Sequence, residues 1–410
     1  MPGGLDRVMT LSSLTRAYHV ELTGAAATAV VAGMIGVLFA GSTLLTPLYI
    51  MYEQRFGFSK ITLTLVYAAY VLGNLGALLL FGKASDIAGR RVVALAGIAA
   101  SIVSALVFLF AQGVASLYIG RILSGLGIGV GAGTGTAWLA ELIAAKDQGR
   151  ASTVATSTNF FGLGLGALAA GLLAQYAPLP LQLPFIVYLA ALFAAAALVW
   201  RTHETVAGRP LREVPLRPQL SVPRALRAQF VPPAVTGFAS MALVGFYAAL
   251  APSILANDLH ETSHAVAGAL FFELAIVVSA CIVVTQKVPS RTAMLSALAL
   301  MPPSVALLVA AQLLASMDVM LVATACCGVA AGLGYRGSLQ VVNQIAPQER
   351  RAEVMSSYFV CAFCGNALPV IGVGVIGTMW SAAAASIVFA AVIAAFALAA
   401  LGFGLRHAKA

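Results

Sequence analysis

Apolar residues follow one another in long blocks from about residue 24 to the C-terminus, and polar, glycine- or proline-marked breaks between the blocks are short. A bilayer-spanning helix needs roughly 20 predominantly apolar residues. On that measure the pattern predicts twelve helices, near 26–50, 61–82, 92–112, 115–140, 152–175, 181–200, 229–253, 265–287, 293–313, 318–343, 353–377 and 381–403. The widest break, about 201–228, holds Arg201, Arg209, Arg212, Arg217, Arg224 and Arg227 with four prolines, and reads as a linker between two six-helix halves with room for a short interfacial helix. The predicted fold is an all-α integral membrane protein of two pseudo-symmetric six-helix bundles. Its parts are an N-terminal tail (1–23), a first bundle (24–200), the linker (201–228), a second bundle (229–403) and a C-terminal tail (404–410).

Composition agrees: 61% of the residues are hydrophobic and 9% charged, with a mean hydropathy of +0.97. An ordinary soluble domain carries about 25% charge, so a soluble globule is excluded. The net charge of +9 does not point to nucleic acid, because Lys and Arg are distributed among short loops instead of massing on one face. Residues 1–23 contain Arg7 and Arg16 but no apolar core followed by a small-residue cleavage site, so they read as a tail and not as a removed signal.

Basic residues set the expected orientation. With both termini inside, Lys83, Arg90, Arg91, Lys146, Arg150, the six linker arginines, Lys287, Arg291, Arg350 and Arg351 all fall in cytoplasmic loops, joined on the tails by Arg406 and Lys409. Outside loops keep only Arg55 and Lys60, while Arg121 and Arg336 fall within helices. The expected location is the cell (inner) membrane. The halves also echo each other: Arg90, Gly131, Gly133, Arg150, Ala151 and Gly171 recur 201 residues later as Arg291, Gly332, Gly334, Arg351, Ala352 and Gly372. Such a parallel duplication is expected of two halves related by an axis along the membrane normal.

Three intramembrane charges are candidate chemistry, since a charge in a span is costly and is functional by default. Arg121 is either such a group or an arginine reaching to the outer interface. Glu273, between Phe272 and Leu274, sits where low dielectric favours its uncharged form. It is read as a proton-exchanging group, a partner for an Arg or a cationic substrate, or a structural acid. Arg336 either attracts an anion into a cavity or serves the cytoplasmic end of its helix. Cys281, Cys326, Cys327, Cys361 and Cys364 all lie in apolar runs, where cysteine packs as a small hydrophobe, and Cys361-x-x-Cys364 is read as packing instead of metal or disulfide chemistry. His260 and His264 read as solvated loop histidines. No metal-ligand cluster, phosphate-cradling loop or cofactor motif stands out, and no enzyme activity is expected.

The loop Gly82-Lys83-Ala84-Ser85-Asp86-Ile87-Ala88-Gly89-Arg90-Arg91 has the spacing G-x-x-x-D-x-x-G-R-R. It resembles the loop between the second and third helices of major facilitator superfamily transporters, and the R-x-x-x-G-x-G run Arg121–Gly127 resembles the family's fourth-helix motif. Ile87 departs from the family pattern, where a basic residue is frequent. Helix five, with Asn159 and a run of small residues through Gly171, is reminiscent of the antiporter motif, but Ala167 stands where that motif has proline. The resemblance implies alternating access by two rocking halves. It implies a conformational latch of Gly82, Asp86, Gly89, Arg90 and Arg91, and salt-bridged gate residues Glu141, Arg150, Arg350, Arg351 and Glu353. By family analogy Thr43, Thr46, Tyr67, Asn74, Asn159, Tyr247 and Asn366 line a midplane cavity together with Arg121, Glu273 and Arg336. The expected function is secondary transport of a small organic or amphipathic molecule by a monomer, as proton-coupled efflux, with proton-coupled uptake of an organic anion as the alternative. A transporter-like sensor or lipid-handling protein is a more distant reading. Protons are the expected coupling ion, the bilayer the surrounding partner, and no cofactor is expected.

Overall fold

A computed structural model describes residues 21–143, 148–210 and 220–406. The helices in chain order are α1 (Gly24–Thr43), α2 (Tyr49–Phe56), α3 (Lys60–Phe81), α4 (Ala84–Ala88), α5 (Arg90–Leu109), α6 (Val114–Leu142), α7 (Gln148–Tyr176), α8 (Leu183–Trp200), α9 (Arg227–Asn257), α10 (His264–Val284), α11 (Ser290–Leu313), α12 (Met317–Ile345), α13 (Arg351–Met379) and α14 (Ala382–Arg406). Among the described residues twelve helical stretches are long and apolar enough to cross a membrane, and no strand beyond one isolated bridge occurs. Their lipid-side faces carry exposed Leu, Val, Ile and Phe, as expected where hydrocarbon is the solvent.

The first span is longer and less regular than its hydropathy predicts. Pro47 lacks the N–H that would continue the helical ladder, so α1 ends at Thr43, Thr46–Leu48 forms a tight 3-10 turn, and α2 carries the span on to Phe56. The loop Gly82–Arg91 is also more structured than a plain reversal, because Ala84–Ala88 coils into the short helix α4. Gly89 then turns the chain at φ 98°, in the left-handed half of backbone space where a side chain is strained.

The two halves pack against each other along two seams, α7 with α10 and α3 with α13. Lys83, Arg90, Arg91, the start of the linker and the start of α7 lie at one end of the bundle, here called the loop face. The turns at 57–59, 110–113 and 258–263 lie at the far face. Residues 201–209 do not run free after α8. They join the first half through Leu22 N–H to the Arg201 carbonyl (2.8 Å), His203 N–H to Leu22 (3.0 Å) and Arg209 N–H to Ile87 (2.7 Å). At the other end of the linker a 3-10 turn, Arg224–Leu226, leads into α9. Arg7, Arg16, Lys146, Arg212, Arg217 and Lys409 lie outside the described residues.

Close approach of α3 and α6 positions everything that follows. A Cβ on Gly125 would collide with the Tyr70 carbonyl, and one on Gly73 with the Ile122 carbonyl. Small residues at such crossings let backbones meet and gain dispersion contacts without a hydrophobic driving force. Replacing Gly125 with Leu therefore forces α3 off α6. The expected result is destabilisation of about 1–3 kcal/mol, read as a lower midpoint in thermal unfolding of the purified protein.

Candidate functional site

A cavity of about 370 Å³ lies between the halves. Each wall is a helical stripe. Ser152, Thr156, Asn159 and Leu163 line it from α7, Tyr335, Leu339 and Asn343 from α12, and Met355, Phe359, Phe363 and Asn366 from α13. These spacings of three and four put the residues of each set on one helix face. Tyr67, Tyr70, Asn74 and Leu78 complete it from α3, with Thr43 and Phe39 from α1. The lining reaches the last turns at the loop face, through Leu78, Asn343, Ser152 and Met355, and stops at mid-span. Among the described residues, no Asp, Glu, Lys, Arg or His belongs to it.

The inner end of the cavity is a hydrogen-bonded node joining the halves. Tyr67 and Tyr70 hydroxyls both donate to Asn366 Oδ1, each at 2.9 Å, and Asn366 Nδ2 donates to the Met241 carbonyl at 3.2 Å. Beyond it, toward the far face, Thr64 packs on Gly374, and His264 Nδ1 meets the Pro47 carbonyl at 3.1 Å while the His264 backbone N–H donates to Gln175 Oε1 at 3.0 Å. The far face is therefore closed and the loop face is the side from which the cavity is reached.

Arg121 stands directly behind the node, fully buried. Its Nη1 donates to the Ser42 carbonyl (2.6 Å) and its Nη2 to the Tyr49 hydroxyl (2.7 Å), while the guanidinium lies over the rings of Tyr70, Tyr67 and Tyr49 at 5.2, 5.3 and 5.9 Å. No carboxylate is among its partners. It does not reach an interface, and it is absent from the cavity lining. The α3–α6 crossing at Gly125, one helical turn from Arg121, explains why the rings press on it.

The other two intramembrane charges also lie off the cavity. Arg336 folds back to the loop face, where Nη2 donates to the carbonyls of Gln286 (3.0 Å) and Val288 (2.7 Å). A cation there satisfies the carbonyl-rich C-terminal end of α10. Glu273 is half-buried beside the α10–α12 contact, close enough to interact electrostatically with Tyr247, and its Oε2 has no hydrogen-bond partner. Tyr247 itself is absent from the lining and accepts from Thr324 at 3.1 Å inside the second half. Thr46 is buried in the 3-10 turn, also away from the cavity. The residues brought together as expected are Thr43, Tyr67, Asn74, Asn159 and Asn366. Tyr70, Tyr335, Phe359 and Phe363, together with Gln340 and Asn343, were not anticipated. The signal for them is the recurrence of polar and aromatic positions at three- and four-residue spacing within apolar helices.

At the loop face, Arg90 gathers several polar side chains. It pairs with Asp86 (2.6 Å) and Glu141 (2.6 Å) and donates to Ser85 Oγ (2.6 Å). Glu204 takes part unforeseen, accepting from the backbone N–H groups of Arg90 (2.9 Å), Arg91 (2.8 Å), Thr205 (3.0 Å) and Val206 (3.2 Å). Thr205 closes the circle by donating to Glu141, and Arg91 donates to the Trp200 carbonyl. A Cβ on Gly89 would press on Glu204 Oε2, and Gly82 precedes α4 in the same turn. The cluster lies wholly within the first half and its linker. Glu141 thus faces Arg90 and not Arg150. Arg150, Arg350 and Arg351 are exposed, and they and Glu353 enter none of the ion pairs among the described residues. That is the arrangement expected when the loop face is parted.

The family model of the Major Facilitator Superfamily matches residues 31–368. The chain is 30% identical over 144 residues to the MFS-type transporter traF of Penicillium crustosum, a stretch that covers 35% of this chain and 30% of that protein. Among solved structures it superposes on the human organic anion transporter MFSD10 (TETRAN) with a TM-score of 0.66 at 15% identity, covering 92% of this chain and 99% of that one. At this identity the likeness concerns the fold.

Two variants separate structural from functional charge. Arg90→Leu leaves Glu141 and Asp86 without their cation and is expected to raise hydrogen exchange across Lys83–Arg91 and Glu204–Arg209. Arg121→Met removes a buried charge that has no counter-ion. Hydrophobic replacement of buried charge is often neutral or stabilising, so thermal stability should hold or rise while transport is lost.

Proposed function

The chain belongs to the Major Facilitator Superfamily and is a multi-pass membrane transporter, and from that premise we propose that it exports a small, uncharged amphipathic organic molecule in exchange for protons. The observation that carries this reading is the lining of the cavity, where, among the described residues, aromatic rings, amides and hydroxyls are present and charged side chains are not. A cationic substrate leaving water would need a carboxylate to meet it, and none lines the cavity. A sugar would call for a denser set of hydrogen-bonding groups than this mixture of Phe, Met and Leu with a few amides.

Alternating access follows from the two inter-half seams. In the state described, the far face is sealed at the Asn366 node. Rocking of the halves would part that node and bring Arg150, Arg350, Arg351, Glu141 and Glu353 together at the loop face. The distribution of basic residues favours a cytoplasmic loop face with both termini inside. Glu273 is the proposed proton carrier. It is a mid-span acid in the second half whose Oε2 has no hydrogen-bond partner, and it is absent from the cavity lining although Phe271 of the same helix belongs to it, so that substrate and proton would occupy separate places. A second reading, proton-coupled uptake of an organic anion, is favoured by Arg121, whose charge behind the node is not neutralised by any carboxylate.

The test is accumulation in proteoliposomes under an imposed pH gradient, using neutral, anionic and cationic amphipaths of matched size. Export by antiport predicts uptake of the neutral probe into vesicles with an acidic interior, through the inside-out fraction. Glu273→Gln should abolish this accumulation while leaving downhill exchange of the same probe intact. Accumulation of the anion alone, and in vesicles whose interior is alkaline so that protons and anion enter together, would establish the second reading. Gradient-driven transport that survives in Glu273→Gln would remove Glu273 from the coupling step.

A further inference from the structure

We propose that the Tyr67–Tyr70–Asn366 node is the specificity-determining element of the cavity, and that it recognises a neutral group presenting a hydrogen-bond acceptor beside a donor, as in an amide or lactam. This inference rests on the transport reading above and names the substrate class of the same cavity.

The two hydroxyls come from α3 in the first half and the amide from α13 in the second. Among the described residues, these two hydrogen bonds are the ones that join α3 to α13. Both converge on a single oxygen, so the two lone pairs of Asn366 Oδ1 are occupied. Asn366 is also the cavity wall, which places the tie between halves within reach of whatever enters.

Arg121 sets the polarity of the exchange. Its guanidinium lies against both rings, at 5.3 and 5.2 Å, and draws electron density from them. The two phenols are thereby made better donors and poorer acceptors. An incoming acceptor can replace Asn366 Oδ1 as their partner. That exchange leaves Oδ1 in a buried position with no donor, which is costly. A ligand that carries an N–H or O–H next to its acceptor supplies that donor and completes the swap. A pure acceptor completes half of it, and a hydrocarbon none. Insertion of the ligand between Asn366 and the tyrosines unfastens α3 from α13, so the same event that recognises the substrate loosens the closed far face.

Three flat bicyclic probes of similar size separate these cases: 2-quinolone (acceptor and donor), quinoline (acceptor only) and naphthalene (neither). Far-face opening is read as the rate at which an impermeant maleimide labels Thr64→Cys, a position packed on Gly374 across the same seam. The background has Cys281, Cys326, Cys327, Cys361 and Cys364 replaced by Ala. 2-Quinolone should raise the labelling rate on the order of tenfold, quinoline less, and naphthalene not at all. Asn366→Leu should label fast without any probe and lose the response. Asn366→Asp should label slowly, because two polarised hydroxyls grip a carboxylate. If Asn366→Leu folds poorly, the double change Tyr67→Phe and Tyr70→Phe removes the same two bonds while keeping both rings on Arg121, and should also label fast. Equal effects of the three probes, or the unsubstituted rate in the double Phe variant, would overturn the inference. Vesicle transport of an amphipath without discrimination among the probes overturns this inference alone. Discrimination among the probes with no transport in vesicles instead overturns the transport reading.

Discussion

A guanidinium that cannot reach water and has no carboxylate to meet it is the constraint around which the first half is arranged. An isolated charge in a low-dielectric interior is prohibitive unless dipoles and polarisable groups replace its hydration. Arg121 obtains them from three different places. The Ser42 carbonyl belongs to the last turn of α1, where the helix dipole is negative. The Tyr49 hydroxyl comes from the residue that follows the 3-10 turn at Pro47 and begins α2. The faces of Tyr67 and Tyr70 arrive because α3 and α6 cross at glycines. A kink, a helix end and a glycine crossing, which look unrelated along the chain, serve one charge.

The second half solves its buried charge differently. Arg336 lies close to the loop face and uses carbonyls of the turn after α10, a local and unidirectional solution. Arg291, the repeat partner of Arg90, donates to the Gly404 carbonyl near the end of α14 and gathers no acids. The halves thus share a helix plan but not a charge plan. The latch and the caged cation both belong to the first half, while the unpaired acid Glu273 belongs to the second.

The spans and the loop from Gly82 to Arg91 were legible in the sequence because hydropathy blocks and glycine–charge spacing are local signals. Thr43, Tyr67, Asn74, Asn159 and Asn366, which face the cavity, could be picked out because a polar residue amid an apolar helix has few other reasons to be there. The charged residues were misplaced for a related reason. Their cost in a membrane marks them as special, yet it does not say which helix face they occupy or what solvates them. Arg121 is solvated by rings some 50 and 70 residues away in sequence, and Arg336 by carbonyls, which carry no sequence signature at all. Glu204 was missed because it lies in a stretch that hydropathy reads only as linker, and its partners are backbone N–H groups.

That carboxylate has a practical reach. By collecting four amide hydrogens from α5 and from its own turn, Glu204 makes the residues after α8 an integral strap of the first half as far as Arg209. The hydrophobic pattern places the boundary of that half at Trp200, whereas the hydrogen bonds place it nine residues later. A scheme that divides the chain into two co-expressed polypeptides, or that inserts a reporter between the halves, belongs beyond that strap. Cutting at the end of the helix would strip the α3–α5 turn of its anion and disassemble the latch together with the tether.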